Sequence, residues 1–251
     1  MPRRELPAAL LAGPFRLSDL RRWGLPDQLV RTRRFRRLFH GVYAASCLPD
    51  TLRLRVEAAA LILPASAVFS HHTAAGLRDL PVPSSSHLHV TVPPGTAAPR
   101  GNGILAPRAS VEGGAVTTSR GVRTTTPVRT FLDLGRSIGL IDVVVLGDAM
   151  VRRSLASVGE LQDAASRASG RGSSAIRTAA PLVRGRVDSP METRVRLLLA
   201  LAGLPDPEPG VEVLDDHRWS PRSTSPTPCN GSRSNTTVTC TGSANASGVT
   251  M

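Results

Sequence analysis

Apolar positions along the chain come in short groups broken by glycine and proline. Leu6, Leu10 and Leu11, then Phe15, Leu17 and Leu20, then Leu25, Leu29 and Val30 are separated by Gly13-Pro14 and Gly24, which predicts three short helices. Ser18 and Asp19 are placed to cap the second helix, and Pro26 suits the first turn of the third, where its missing N–H costs nothing. Phe35 to Ala44 then sets aromatic and β-branched residues around Gly41, the pattern of a small hairpin. Three helices followed by a hairpin is the order of a winged helix.

Downstream the pattern predicts a mixed α/β region. Leu52 to Leu63 reads as an Ala-rich helix, and Ser70 is placed to cap another beginning at His71. Leu88, Val90 and Val92 alternate with polar residues up to Pro93-Pro94, a strand pattern, and Ile104 to Pro107 and Val122 to Thr125 read as shorter strands. Helices are expected at Val128 to Leu134, Leu140 to Ser154, Val158 to Ala168 and Ala175 to Val183, with Ser169 to Ser174 as a flexible linker. Asp188-Ser189-Pro190-Met191-Glu192 opens a further helix that carries Val195, Leu198, Leu199 and Ala202 on one face and ends at Gly203; Val211 and Val213 begin a strand. The fold class expected is mixed α/β: a winged-helix module over 1–50, an α/β connector over 51–155, a helical linker over 156–186, an incomplete nuclease-like domain over 187–219 and a disordered tail over 220–251.

Composition adds a partner. All 31 basic residues counted as Lys+Arg are arginine, and the formal net charge is +12. Residues 1–50 hold ten arginines against Glu5, Asp19, Asp27 and Asp50, a net +6 and half of the total. Arginine neutralises phosphates and releases their counterions, so double-stranded DNA is the expected partner. The densest run, Arg31, Arg33, Arg34, Arg36 and Arg37 with His40, falls between the third predicted helix and the hairpin, where phosphate contacts are made. Gln28, Arg31 and Thr32 are the candidates for base edges, since Gln suits adenine and Arg suits guanine. A solvated arginine face is the plain alternative, and charge alone does not separate the two.

No run approaches about 18 apolar residues and no leader pattern stands at the start, so a cytoplasmic protein with no membrane partner is expected. Cys47, Cys229 and Cys240 form no CxxC pair, which points to neither a zinc site nor a disulfide framework. His71 and His72 lack a nearby Cys or carboxylate at ligand spacing, and His87 and His89 alternate on one strand with no visible third ligand, so packing is the expected role of all four.

Two resemblances sharpen this picture. Phe15-Arg16-Leu17-Ser18-Asp19-Leu20, Gly24-Leu25 and Arg37-Leu38-Phe39-His40-Gly41-Val42-Tyr43 resemble the N-terminal winged helix of AbiEi-type antitoxin and regulator proteins. The resemblance implies DNA binding, self-regulated transcription and a cognate toxin as a further partner. Asp188 to Leu198 followed by Ala202-Gly203-Leu204-Pro205 resembles the first helix of the endonuclease-like domain related to very-short-patch-repair nucleases, in the PD-(D/E)XK superfamily. In that family Glu192 matches an acidic helix position, while an Asp and a second acidic residue on following strands hold Mg²⁺ against the scissile phosphate.

Those strand carboxylates are missing here. From Ser220 the chain turns to Ser, Thr, Asn and Gly, too poor in apolar residues to fold, and carries the sequons Asn230-Gly231-Ser232, Asn235-Thr236-Thr237 and Asn245-Ala246-Ser247 without a secretion signal. Back-translated with GC-rich codons and read in a shifted frame, the tail yields an acidic strand element of the kind that the nuclease family carries, which places a frameshift near Trp219 to Arg222. The expectation is a DNA-binding regulator whose nuclease-like domain retains only the remnant Glu192, with no cofactor in this chain. The alternative is a Mg²⁺-dependent DNA endonuclease encoded by the frame-corrected gene. In the chain as written, the apolar face of the last helix loses the sheet that would cover it.

Overall fold

The computed structural model describes residues 6–97, 103–185 and 187–205, and has a mixed α/β fold. The strand expected at Val211 and Val213, the junction at Trp219 to Arg222 and the tail from Ser220 lie outside the described residues. Among the described residues, no helix is long and apolar enough to cross a membrane.

The first part runs α1 (Ala8–Ala12), β1 (Phe15–Arg16), α2 (Leu17–Arg22), a 3-10 turn (Asp27–Arg31), β2 (Phe35–Phe39) and β3 (Val42–Ala45). The strands form an antiparallel sheet in the order β1-β3-β2, with Phe35 opposite Ala45 and Phe15 opposite Tyr43. Phe15 and Phe35 meet edge to face at 5.4 Å over a core completed by Leu10, Leu20, Leu25 and Ala45. The third helix expected from the sequence is a single 3-10 turn. Its start follows Pro26, and Thr32 closes it through an Oγ1 bond to the Leu29 carbonyl (2.7 Å) before β2 begins at Phe35. At α2, Asp19 alone of the two expected caps acts: its Oδ2 accepts the Arg16 N–H at 2.8 Å.

The second part contains α3 (Leu52–Ala60), β4 (Val68–Phe69), α4 (His71–Gly76), β5 (Leu88–Thr91), β6 (Ile104–Leu105), β7 (Val116–Ser119) and β8 (Val122–Thr125). Its five-stranded sheet has the order β6-β5-β4-β8-β7; β4 pairs antiparallel with β5 and parallel with β8. β7 and β8 close on Arg120-Gly121, both with positive φ (50° and 83°), the conformation that a two-residue hairpin turn needs. The β2–β3 hairpin is fused to this part. Phe39 and Val42 share one hydrophobic cluster with Val56, Ala58, Leu88, Val90 and Ile104, and the Arg16 guanidinium donates to the Leu61 carbonyl at the end of α3.

The third part is helical: α5 (Pro127–Leu134), α6 (Leu140–Arg152), α7 (Val158–Ser166), α8 (Ser173–Ala179) and α9 (Pro190–Leu201). Every residue of α6 from Val143 to Met150 is buried, so α6 is the central helix. A Cβ at Gly147 would lie 2.6 Å from Val183 Cγ2 and 3.3 Å from the Phe131 ring, so the glycine lets those chains cross. The hydrophobic cluster joins Phe131, Val143, Leu161, Ile176 and Leu197, and so crosses both boundaries, 155/156 and 186/187, drawn from the sequence. The stretch expected as a flexible linker is a tight connection: Ser173 and Ser174 are the first residues of α8, and Gly170 and Gly172 take φ of 82° and 80° where the chain reverses.

Candidate nucleic-acid interface

α2, the 27–31 turn and β2 pack on one another and carry the arginine run. Gln28, Arg31, Thr32, Arg33, Arg34, Arg37 and His40 are all exposed. Their engagements differ. The Thr32 hydroxyl is spent closing its own turn, and Arg37 donates from Nε to the Phe39 carbonyl (3.2 Å) while its Nη2 lies 2.9 Å from His40 Nδ1. Arg37 and His40 therefore stiffen the tip of the hairpin. The guanidinium groups of Arg31, Arg33 and Arg34 have no hydrogen bond or ion pair with a described residue, and that of Arg22, at the end of α2, joins them.

Arg36 stands apart from the other members of the run. Strand alternation puts it on the side of β2 that carries Leu38, which packs against the α/β cluster, and its Nε and Nη2 are enclosed without a hydrogen-bond partner. A phosphate reaches Arg33 and Arg34 without rearrangement; Arg36 must first move. Two surface features escaped the sequence reading. Trp23 is 36% exposed at the end of α2 beside Arg22. Arg21 is committed to Asp27 at 2.7 Å, and that bond holds the Asp27 carboxyl below the usual carboxylate range. The run of arginines in sequence was the signal for the first set; no local pattern announces the second.

Glu192 belongs to a different site. Its Oε2 accepts the backbone N–H groups of Asp188 (2.6 Å) and Ser189 (3.2 Å), while Ser189 Oγ accepts the Glu192 N–H (3.2 Å), a reciprocal capping box at the start of α9. The carboxylate is thus engaged in capping the helix. Among the described residues no group of three or more His, Cys, Asp or Glu could hold a metal ion. On the same helix Thr193 and Arg196 are buried against Asp148 of α6, whose Oδ2 accepts from Thr193 Oγ1 (2.8 Å) and Arg196 Nη2 (3.1 Å) and whose Oδ1 accepts the Arg184 N–H (2.8 Å). Burial pushes the Asp148 carboxyl up, against the opposing pull of these donors. The outer face of α9 leaves Met191, Val195, Leu198 and Leu201 exposed.

A second cluster joins α4 to β5. The His71 and His89 rings are 5.6 Å apart and those of His72 and His89 are 4.7 Å apart. Ser70 Oγ lies 2.9 Å from His71 Nδ1 and accepts from Thr91 Oγ1 at 2.8 Å; the His89 N–H donates to Thr73 Oγ1 at 2.7 Å. His71 has φ of 47°, an uncommon value for a residue with a side chain. The packing role expected for these histidines accounts for their contacts, but His72 Nδ1 is buried without a partner.

No protein-family model matches the chain. No curated protein matches it. Among solved structures it is similar to the crystal structure of the RV2827C protein from Mycobacterium tuberculosis, at 16% sequence identity and a TM-score of 0.48, over 75% of this chain and 76% of that one.

Proposed function

We propose that the chain is a double-stranded DNA-binding protein of the regulator type, held on DNA by the arginines of its first fifty residues. The observation that carries this reading is the set Arg22, Arg31, Arg33 and Arg34: four exposed guanidinium groups on adjoining elements, none engaged with a described residue. A structural arginine on a surface commonly finds a carboxylate, as Arg21 finds Asp27. Four that find none form a field that favours an anionic polymer. Gln28 and Arg31, in the turn where a recognition helix would lie, are the candidates for base contact, and Arg33 and Arg34 are the candidates for phosphate. The reading includes regulation of transcription and a cognate toxin as protein partner, both from the resemblance to AbiEi-type proteins. Cleavage is not part of it: the alternative, a Mg²⁺-dependent DNA endonuclease encoded by the frame-corrected gene, needs strand carboxylates that this chain does not carry.

The test is anisotropy of labelled duplex DNA titrated with the full chain across a series of salt concentrations. Binding should weaken as salt rises, and replacing Arg33 and Arg34 by Ala should reduce the log–log salt slope by about one for each residue. Affinity that is independent of salt, or a slope unchanged by the double substitution, would sink the proposal.

A further inference from the structure

The histidine seam between α4 and β5 lies on one face of β5, and the other face of that strand belongs to the hydrophobic cluster that also takes in the hairpin β2–β3. Along β5, His89 and Thr91 face α4, whereas Leu88 and Val90 point the other way by strand alternation and share a hydrophobic cluster with Phe39 and Val42 of the hairpin. One four-residue strand therefore has a cluster of imidazoles on one face and, on the other, the hydrophobic cluster that it shares with α3 and the β2–β3 hairpin. We propose that the His71–His72–His89 seam is an acid-sensitive joint, and that protonating it frees β5 from α4 and loosens the β2–β3 hairpin through the cluster on the opposite face.

The geometry supplies the reason. The His89 ring meets those of both His71 and His72, an arrangement that accommodates neutral imidazoles, and a charge on His89 faces the other two. The surrounding charges offer little relief. From α5, Asp133 favours a charged His71, but Arg129 and Arg136 oppose it, and Asp133 is already bonded to Arg129 at 2.7 Å. From the segment before β5, His87 adds a further like charge against His89, while Ser85 Oγ at 3.0 Å from His89 Nε2 is neutral. Burial lowers all three groups, His89 from 6.5 to about 4. The folded chain thus binds fewer protons than the unfolded one between these limits. The seam's full stability is present above pH 6.5 and is lost as pH falls from 6.5 toward 4.

Hydrogen–deuterium exchange of the full chain at about pH 7 and about pH 4.5, corrected for intrinsic rates, tests the joint. Peptides covering 35–45 and 88–92 should lose protection by tenfold to a hundredfold, on the order that one histidine's linkage allows, while α5 to α9 stay protected. In a His71→Phe/His72→Phe/His89→Phe variant, which keeps the rings and removes the protons, the hairpin should stay protected at both pH values. Unchanged hairpin protection in the wild-type chain, equal loss in the variant, or simultaneous loss across the helical part would each overturn the proposal. Should the variant fail to fold, NMR of the wild-type chain decides: imidazole and hairpin-amide titrations with one shared midpoint support the joint, and separate midpoints refute it. None of these readouts involves DNA, so the result stands apart from the DNA-binding proposal.

Discussion

Asp148 and Arg196 are the most demanding residues in the molecule, a carboxylate and a guanidinium exposed by only 2% and 3% beneath the last described helix. Taking two charges out of water is costly, and their attraction offsets that cost only while both are present and hydrogen-bonded. Asp148→Ala should therefore destabilise the chain by about 3–5 kcal/mol, because Arg196 is left buried and unpaired. The double change Asp148→Leu/Arg196→Met should recover most of that loss and remain about 1–3 kcal/mol short, since the Thr193 hydroxyl still lacks its acceptor. Urea unfolding midpoints of the three proteins check this; a double variant no more stable than Asp148→Ala would show that the pair is not what holds α9. This site was illegible in the sequence. Its members are 48 residues apart, and Asp148 sits in the apolar run Val143 to Met150, where nothing local distinguishes a paired acid from a surface one. Arg33 and Arg34 were legible because their signal, a dense run of one charge, is itself local.

At the scale of elements, what could be read from sequence follows from how local each element's cause is. α9 begins where Ser189-Pro190-Met191-Glu192 says it should, since the whole capping box lies within four consecutive residues. Ser189→Ala removes the acceptor of the Glu192 N–H and should cost about 1 kcal/mol, a Tm drop of roughly 2–4 °C for a chain of this size, measured by differential scanning calorimetry. Glu192→Ala should act in the same range through the Asp188 and Ser189 N–H groups. No change in Tm for either would mean that the box is not holding the helix. β8 was read at its full span because Val122 to Thr125 is β-branched and follows Gly121. β4 has two residues and β7 is mostly exposed Thr and Ser, so both exist through pairing with β8 and not through a pattern of their own. The 27–31 turn was read as a helix because its periodicity is helical; the Thr32 hydroxyl on the Leu29 carbonyl closes the segment as a 3-10 turn before β2 begins.

For the molecule as a whole, the first fifty residues and the α/β part share one hydrophobic cluster, although composition presents those fifty residues as a separate basic module. Its own core consists of Leu10, Phe15, Leu20, Leu25, Phe35 and Ala45 with a few half-buried neighbours. Even a domain of about 60 residues buries only about 60% of the surface its unfolded chain exposes, so so small a core is marginal alone. The rest of the support comes from outside the segment. Phe39 and Val42 complete their burial against β5 and α3, and Arg16 reaches the Leu61 carbonyl. A fragment of residues 1–50 should accordingly lack a cooperative thermal transition by circular dichroism, whereas residues 1–205 should show one. Cooperative unfolding of the short fragment would make the hairpin's seat on β5 dispensable. The arginines depend on the same seat: with Phe39 and Val42 unburied, the hairpin no longer holds Arg33 and Arg34 in a fixed place beside the 27–31 turn. Charge then remains but geometry does not, so the short fragment should bind duplex DNA with a comparable salt slope and without preference among sequences. If the short fragment instead discriminates between duplexes as the longer chain does, base contact needs no fixed hairpin and Gln28 and Arg31 act from a flexible arm.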